Sequence, residues 1–151
     1  MAKQVNTGSL LSVATGVPAS FDDTGYAAMT WVPVGEVLSF GEFGSTVDVV
    51  NSQPLATGVT EKFTGFINYG AISLGLEKDV DDAGQALIVS HVDGAEKGNI
   101  ISAKIELPDG SINYLDTRAF SYTTNLGSAN QMIGSTANLE INRKPLEVAA
   151  P

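Results

Sequence analysis

The chain has 151 residues, no cysteine, and a formal charge of −9 from eight Lys and Arg against seventeen Asp and Glu. That length points to one domain with at most short arms, able to bury roughly 70% of its unfolded surface without disulfides or a structural metal. The missing cysteines exclude disulfide scaffolds, thiolate zinc sites and thiol catalysis. The acidic balance argues against a protein that grips nucleic acid, and the 43% hydrophobic, 17% charged composition is too apolar for a disordered chain.

In chain order, residues 1–7 read as a polar arm. The start, Met1-Ala2-Lys3-Gln4, lacks the apolar core of a signal peptide, and no run approaches the ~20 apolar residues of a membrane helix. A soluble protein made inside a cell is expected. Leu10-Leu11-Ser12-Val13-Ala14 predicts a short strand, and Asp22-Asp23-Thr24-Gly25 predicts a turn. Thr30 to Val34 leads into Glu36-Val37-Leu38-Ser39-Phe40, a strand with Pro33 at a sheet edge, where a missing N–H costs nothing. Gly41-Glu42-Phe43-Gly44 breaks it, and the β-branched Thr46-Val47-Asp48-Val49-Val50 resumes it.

Residues 51–64 are polar, contain Pro54 and Gly58, and show no period. They predict a long connection, of the kind that carries function or orders on binding. From Gly65 a strand pattern returns, with Ile72, Leu74 and Leu76 alternating with Ser73, Gly75 and Glu77. One helix follows, capped by Asp81 or Asp82 and stopped at Asp93-Gly94, with Ala83, Leu87 and Ser90 on one stripe and Ala86 beside it. Ile101, Ala103, Ile105 and Leu107 then alternate up to Pro108-Asp109-Gly110, a hairpin turn. The returning strand, 112–124, places Ile112, Tyr114, Phe120 and Tyr122 on one side. After a loop at 127–134, a last strand carries Ala137, Leu139 and Ile141 and ends at Arg143-Lys144-Pro145. Roughly eight strands and one helix predict a mainly β fold, a sandwich or barrel with a flanking helix.

Chemistry-bearing constellations are sparse. His91 is the only histidine, which excludes a two-histidine metal site, and its place near the helix end reads as structural. Asp79-Val80-Asp81-Asp82-Ala83-Gly84 resembles the opening of a calcium loop, but Ala83 at the fifth position and Ser90 at the twelfth break the ligand set. No Gly-rich phosphate cradle and no nucleophile elbow is present. No enzyme activity, metal or cofactor is expected. The charge is uneven: between Gln4 and Glu61 there is no Lys or Arg, only Asp22, Asp23, Glu36, Glu42, Asp48 and Glu61. Such a run serves solubility, or repels a polyanion. Apolar residues flecking the connection (Phe43, Val47, Val49, Leu55 and Phe63) suit pairing with other copies.

The order of elements from Trp31 to Pro145 resembles the tail tube (major tail) proteins of long-tailed, non-contractile bacteriophages. The residues that carry this are the strand pair around 36–50 and its long loop; Phe63-Thr64-Gly65-Phe66-Ile67-Asn68-Tyr69-Gly70-Ala71-Ile72-Ser73-Leu74; the helix Asp82-Ala83-Gly84-Gln85-Ala86-Leu87; Ala103 to Gly110; and the closing strand at 136–142 before Arg143-Lys144-Pro145. The resemblance implies two packed β-sheets with a flanking helix, hexameric rings whose inner sheets join into one barrel, and stacked rings that form an acidic channel for double-stranded DNA.

It also implies an organisation: an arm at 1–7, the tube domain at 8–145 with an assembly loop at 41–64, and a tail at 146–151 that, like the arm, reaches an adjacent ring. Phe43, Val47, Val49 and Leu55 are the expected inter-subunit contacts, and Glu42, Asp48 and Glu140 the expected lumen-lining acids. Implied partners are further copies of the chain, a tape-measure protein, tail-tip and tail-terminator proteins, and passing DNA without specific binding, but no membrane. The expected location is the virion, after assembly in the host cytoplasm. Two other readings stay open. One is the tube of a contractile tail or secretion-like system; the other is a monomeric β-sandwich binding module, for which Trp31 and Tyr26 are the plausible start of a site.

Overall fold

A computed structural model describes residues 3–150, so Met1 and Ala2 of the expected arm and Pro151 of the expected tail lie outside the described residues. The elements are β1 (Leu10–Thr15), α1 (Asp23–Ala27), β2 (Val32–Val34), β3 (Val37–Ser39), β4 (Thr46–Ser52), β5 (Glu61–Asn68), β6 (Ala71–Glu77), α2 (Ala83–Asp93), β7 (Ile100–Glu106), β8 (Ile112–Asn125), β9 (Gly134–Ile141) and β10 (Leu146–Val148). The fold is mainly β, as expected. Eight strands form one antiparallel sheet in the order β2-β1-β7-β8-β9-β6-β3, with β10 added to β8, while β4 and β5 form a separate two-stranded sheet.

The sheet is strongly curled, and chain connectivity says why. β2 and β3 lie at opposite ends of the strand order yet are joined only by Gly35-Glu36. A two-residue corner spans at most roughly 11 Å between its flanking Cα atoms, so the two edges must nearly meet. They do not pair with each other, and no closed barrel forms among the described residues. Pro33 sits in edge strand β2, where its missing N–H breaks no inner ladder.

The N-terminus of α2 fills the gap. Asp82 caps the helix by accepting from the Gln85 amide at 2.9 Å, and its two carboxylate oxygens also accept from the Gly35 amide at 3.1 and 3.2 Å. The Gln85 side-chain amide donates to the Gly35 and Glu77 carbonyls at 3.1 and 3.0 Å. Its oxygen accepts from the Asp79 amide at 3.0 Å and the Tyr122 hydroxyl at 2.9 Å. Both donors and both lone pairs of a buried side chain are thus used. Glu36, in the left-handed region at φ 60°, accepts from the Glu77 amide through its carbonyl at 2.9 Å.

The helix presents Gly84, Gln85, Ile88 and His91 to the core, while Ala83 and Ala86 are exposed. Of the expected stripe, Leu87 packs against the core, while Ala83 and the neighbouring Ala86 do not. Gly84 lets the helix touch β2: a Cβ there would fall 2.5 Å from the Pro33 carbonyl oxygen and 2.7 Å from Val34 Cα. Gly84→Ala is therefore expected to lower stability by roughly 1–3 kcal/mol through overpacking against rigid backbone, measured by denaturant unfolding.

The core takes the predicted alternating residues, Ile72, Leu74 and Leu76 from β6, Ile101, Ala103 and Ile105 from β7, and Ala137, Leu139 and Ile141 from β9, joined by Leu11, Val13, Ile88 and Leu115. β8 departs from its expected alternation. A bulge between Ala119 and Ser121 leaves Phe120 unpaired and exposed, and turns Tyr122 onto the core side opposite Ala137. The Pro108-Asp109-Gly110 turn forms as expected, with Gly110 at φ 95°. Hydrogen bonds from the Ser111 hydroxyl and amide hold the Asp109 carboxyl below its ordinary range, so the small contribution of this ionised carboxyl to stability is complete above that range and lost as pH falls through the lowered value. Residues 146–148, expected as a tail, are the strand β10, with Leu146 opposite Tyr114.

Candidate assembly surface

Residues 51–64 are not a long connection. Strand β5 begins at Glu61, and only Gln53 to Thr60 form the turn back from β4. The Gly58 amide donates to the Pro54 carbonyl at 3.1 Å, and Gly58 takes φ 65°, which glycine adopts without penalty. The strand escaped the sequence pattern because it has no buried face: every residue of β5 is exposed. Alternation marks a strand only where one side meets a core.

Pairing fixes the two faces of this hairpin. Val47 lies opposite Ile67 and Val49 opposite Thr64, so Val47, Val49 and Ile67 share one face. Val50 lies opposite Phe63 on the other face. The register shift between Val47 and Val49 sets Gly65 and Phe66 against Asp48 on this second face, where a Cβ on Gly65 would touch Val50 and Asp48. Both faces are therefore apolar and open, with Val49 62% and Phe66 87% exposed. At the tip, Leu55 is fully exposed. An isolated two-stranded ribbon is marginal in water, and this one exposes apolar groups on both its faces.

Of the expected contacts, Val47 and Val49 lie on one hairpin face and Leu55 at its tip. Phe43 differs: it is half-buried against its own core at the hairpin root. Phe66, Ile67 and Val50 were not singled out from sequence, although the adjacent pairs Val49-Val50 and Phe66-Ile67, which must point to opposite faces of a strand, carried the signal. A groove of ≈ 700 Å³ lies at the root, lined by Phe43, Ile67, Tyr69, Pro145 and Leu146 with Lys144 and Glu147 beside them.

The three expected acids fall in two places. Glu42 and Glu140 line separate depressions that share Gly70 and Ala71, Glu140 being the cross-strand partner of Ala71. Asp48 stands apart, exposed on the hairpin. Glu140 shares a sheet face with Ser73, Thr136 and Asn138, a polar surface opposite the core.

The aromatic residues form no open site. Trp31 donates from Nε1 to the Tyr26 carbonyl at 2.9 Å, and buried Tyr26 stacks on Tyr114 with ring centroids 4.7 Å apart. Lys104 lies over Trp31 at 5.3 Å, and Arg143 lies over Phe21 at 3.6 Å while pairing with Asp116 at 3.5 Å. Burial, and then the nearby Asp116 carboxylate, raise the Tyr26 hydroxyl pKa against the opposing pull of Arg143. This cluster roofs the β7–β8 face and holds α1, which Asp22 caps by accepting from the Gly25 amide at 2.7 Å. His91 is buried, with Nδ1 2.8 Å from the Leu87 carbonyl, a structural position as expected.

No protein-family model matches the sequence, and no curated protein is similar to it. Solved structures are. A chain of the six-fold-symmetrised anti-feeding prophage baseplate superposes with a TM-score of 0.72 at 11% identity, covering 99% of this chain and 97% of that one. The fold is one found in tail and injection particles. A chain from the C6-symmetric tail of an empty GTA particle gives 0.66 at 14% identity, over 97% of this chain and all of that one. The sheath/tube terminator structure of an extracellular contractile injection system (PVC) gives 0.62 at 13% identity, over 98% and 99%. In each case the aligned span takes in nearly the whole of this chain.

Proposed function

We propose that this chain is a structural, non-catalytic subunit of a tail tube, which self-assembles into hexameric rings that stack into a channel. The observation that carries this is the β4–β5 hairpin, which bears exposed apolar residues on both faces and pairs with no other strand of its own subunit. The six-fold and C6 symmetry of the particles that hold similar chains supports the ring. The bore passes double-stranded DNA without binding it, since a net charge of −9 offers phosphate few counter-charges. Partners along the tail are a tape-measure protein, tail-tip proteins and a terminator, and the subunit resides in the virion after assembly in the host cytoplasm. The likeness to the PVC terminator chain favours a second reading, a tube housed in a contractile or secretion-like apparatus. The two readings share subunit and ring and differ in whether a sheath protein binds the outside.

The polar face bearing Glu140, with Glu42 and Asp48 nearer the hairpin, is the proposed channel lining. Glu42→Lys combined with Glu140→Lys changes two positions that lie off the hairpin and outside the core and is expected to leave folding and tube formation intact. DNA release from assembled particles is expected to fall about tenfold at low salt and to recover as salt screens the new cations. Unchanged release at every salt concentration would remove both residues from the channel. Concentration-dependent sedimentation of the purified chain tests the assembly itself; a monodisperse monomer at high concentration, even with tail-tip components added, contradicts it.

A further inference from the structure

The hairpin and its root suggest how one copy holds the next. We infer that the hairpin tip of one copy seats in the root groove of its neighbour, with Leu55 and Val59 on the apolar floor formed by Phe43, Ile67, Tyr69 and Leu146. This rests on the tube reading and names the partner of its assembly surface. Four observations carry it. The groove, ≈ 700 Å³, has room for several residues rather than one side chain. It is continuous with the apolar hairpin face through Ile67. The tip is a pre-formed turn, closed by the Gly58–Pro54 hydrogen bond, so presenting Leu55 costs little further ordering on binding. The charges also match: the tip strand begins with exposed Glu61-Lys62, and the groove rim carries Lys144 and Glu147.

The contact is head-to-tail, because tip and root are different surfaces of the same chain, and repeated head-to-tail contacts build rings or filaments rather than closed dimers. Tip and root of one copy cannot meet, since the seven residues of β4 separate them by roughly 23 Å. That separation gives a direct test in a chain without cysteine. Leu55→Cys combined with Ser45→Cys places thiols at the exposed tip and beside the groove, where only a bond between copies can satisfy disulfide geometry. Mild oxidation of assembled full-length protein should produce a ladder of covalent multimers, and each single-cysteine variant should give no ladder.

Independently, Glu61→Lys or Lys144→Glu alone should raise the concentration needed for assembly roughly five-fold, and the double swap should restore it to within about two-fold. Tubes that form normally with no ladder and no rescue would overturn the tip-in-root contact while leaving the tube reading standing. Covalent dimers from Leu55→Cys alone would overturn it in favour of a tip-to-tip contact. Failure of the unsubstituted chain to assemble would overturn both.

Discussion

Phe63→Ser combined with Phe66→Ser is expected to abolish assembly and leave a folded monomer. Both rings lie on one face of the β4–β5 hairpin and are 56% and 87% exposed, so neither contributes to the core of its own subunit. Removing them should move the monomer melting midpoint little, as surface substitutions usually fall within about 0.5 kcal/mol. In an assembly the same rings are buried, and aromatic anchors at interfaces commonly cost about 2 kcal/mol or more each when truncated. Two per subunit, repeated at each contact, places assembly beyond reach of ordinary protein concentrations. Sedimentation velocity and circular dichroism on the same sample separate the two effects. Tubes from the double variant would show that this face stays open in the assembly; a collapsed melting transition would show that the hairpin belongs to the monomer core.

Gln85→Ala is expected to have the largest effect on the monomer. The side chain satisfies the Gly35 and Glu77 carbonyls, the Asp79 amide and the Tyr122 hydroxyl at once, in a place with almost no water access. Each buried group left unpaired costs about 1–3 kcal/mol, and partial relaxation brings the expected loss to roughly 3–5 kcal/mol. That is a large share of the ~5–15 kcal/mol that holds a domain of this size folded. The residue also ties α2 to the Gly35-Glu36 corner, where the ends of the curled sheet approach each other. Denaturant unfolding measures the loss. A change below about 1 kcal/mol would mean that water replaces the amide easily and that the corner is held by other contacts.

Much of this architecture was legible in the residues. Period-two alternation at Ile72–Leu76, Ile101–Ile105 and Ala137–Ile141 identified central strands because each has one face against a core. Asp82 before Gln85, and Pro108-Asp109-Gly110, marked a cap and a turn through local hydrogen bonding that a sequence displays directly. What escaped depends on distant partners. β5 has no buried face in the monomer and so no alternation; β10 is three residues long and exists through its pairing with β8; α1 is held by aromatic stacking on Tyr114. The bulge at Phe120 reversed the faces beyond it, and nothing in the local sequence announces a bulge without its opposite strand. For the assembly surface, Val47, Val49 and Leu55 were readable as apolar residues in a polar stretch. The partial burial of Phe43 was not readable, because it comes from packing against the core, far from its sequence neighbours.

The central claim is that copies of this chain close into a six-subunit ring around a negatively lined bore. Cryo-electron microscopy of the purified full-length protein, concentrated and seeded with tail-tip components, measures this most directly. Six-fold rings or tubes, with the β4–β5 hairpin buried between subunits and carboxylates on the inner wall, are the predicted result. A particle that stays a monomer, or a ring whose inner wall is lined by lysine and arginine, would contradict it.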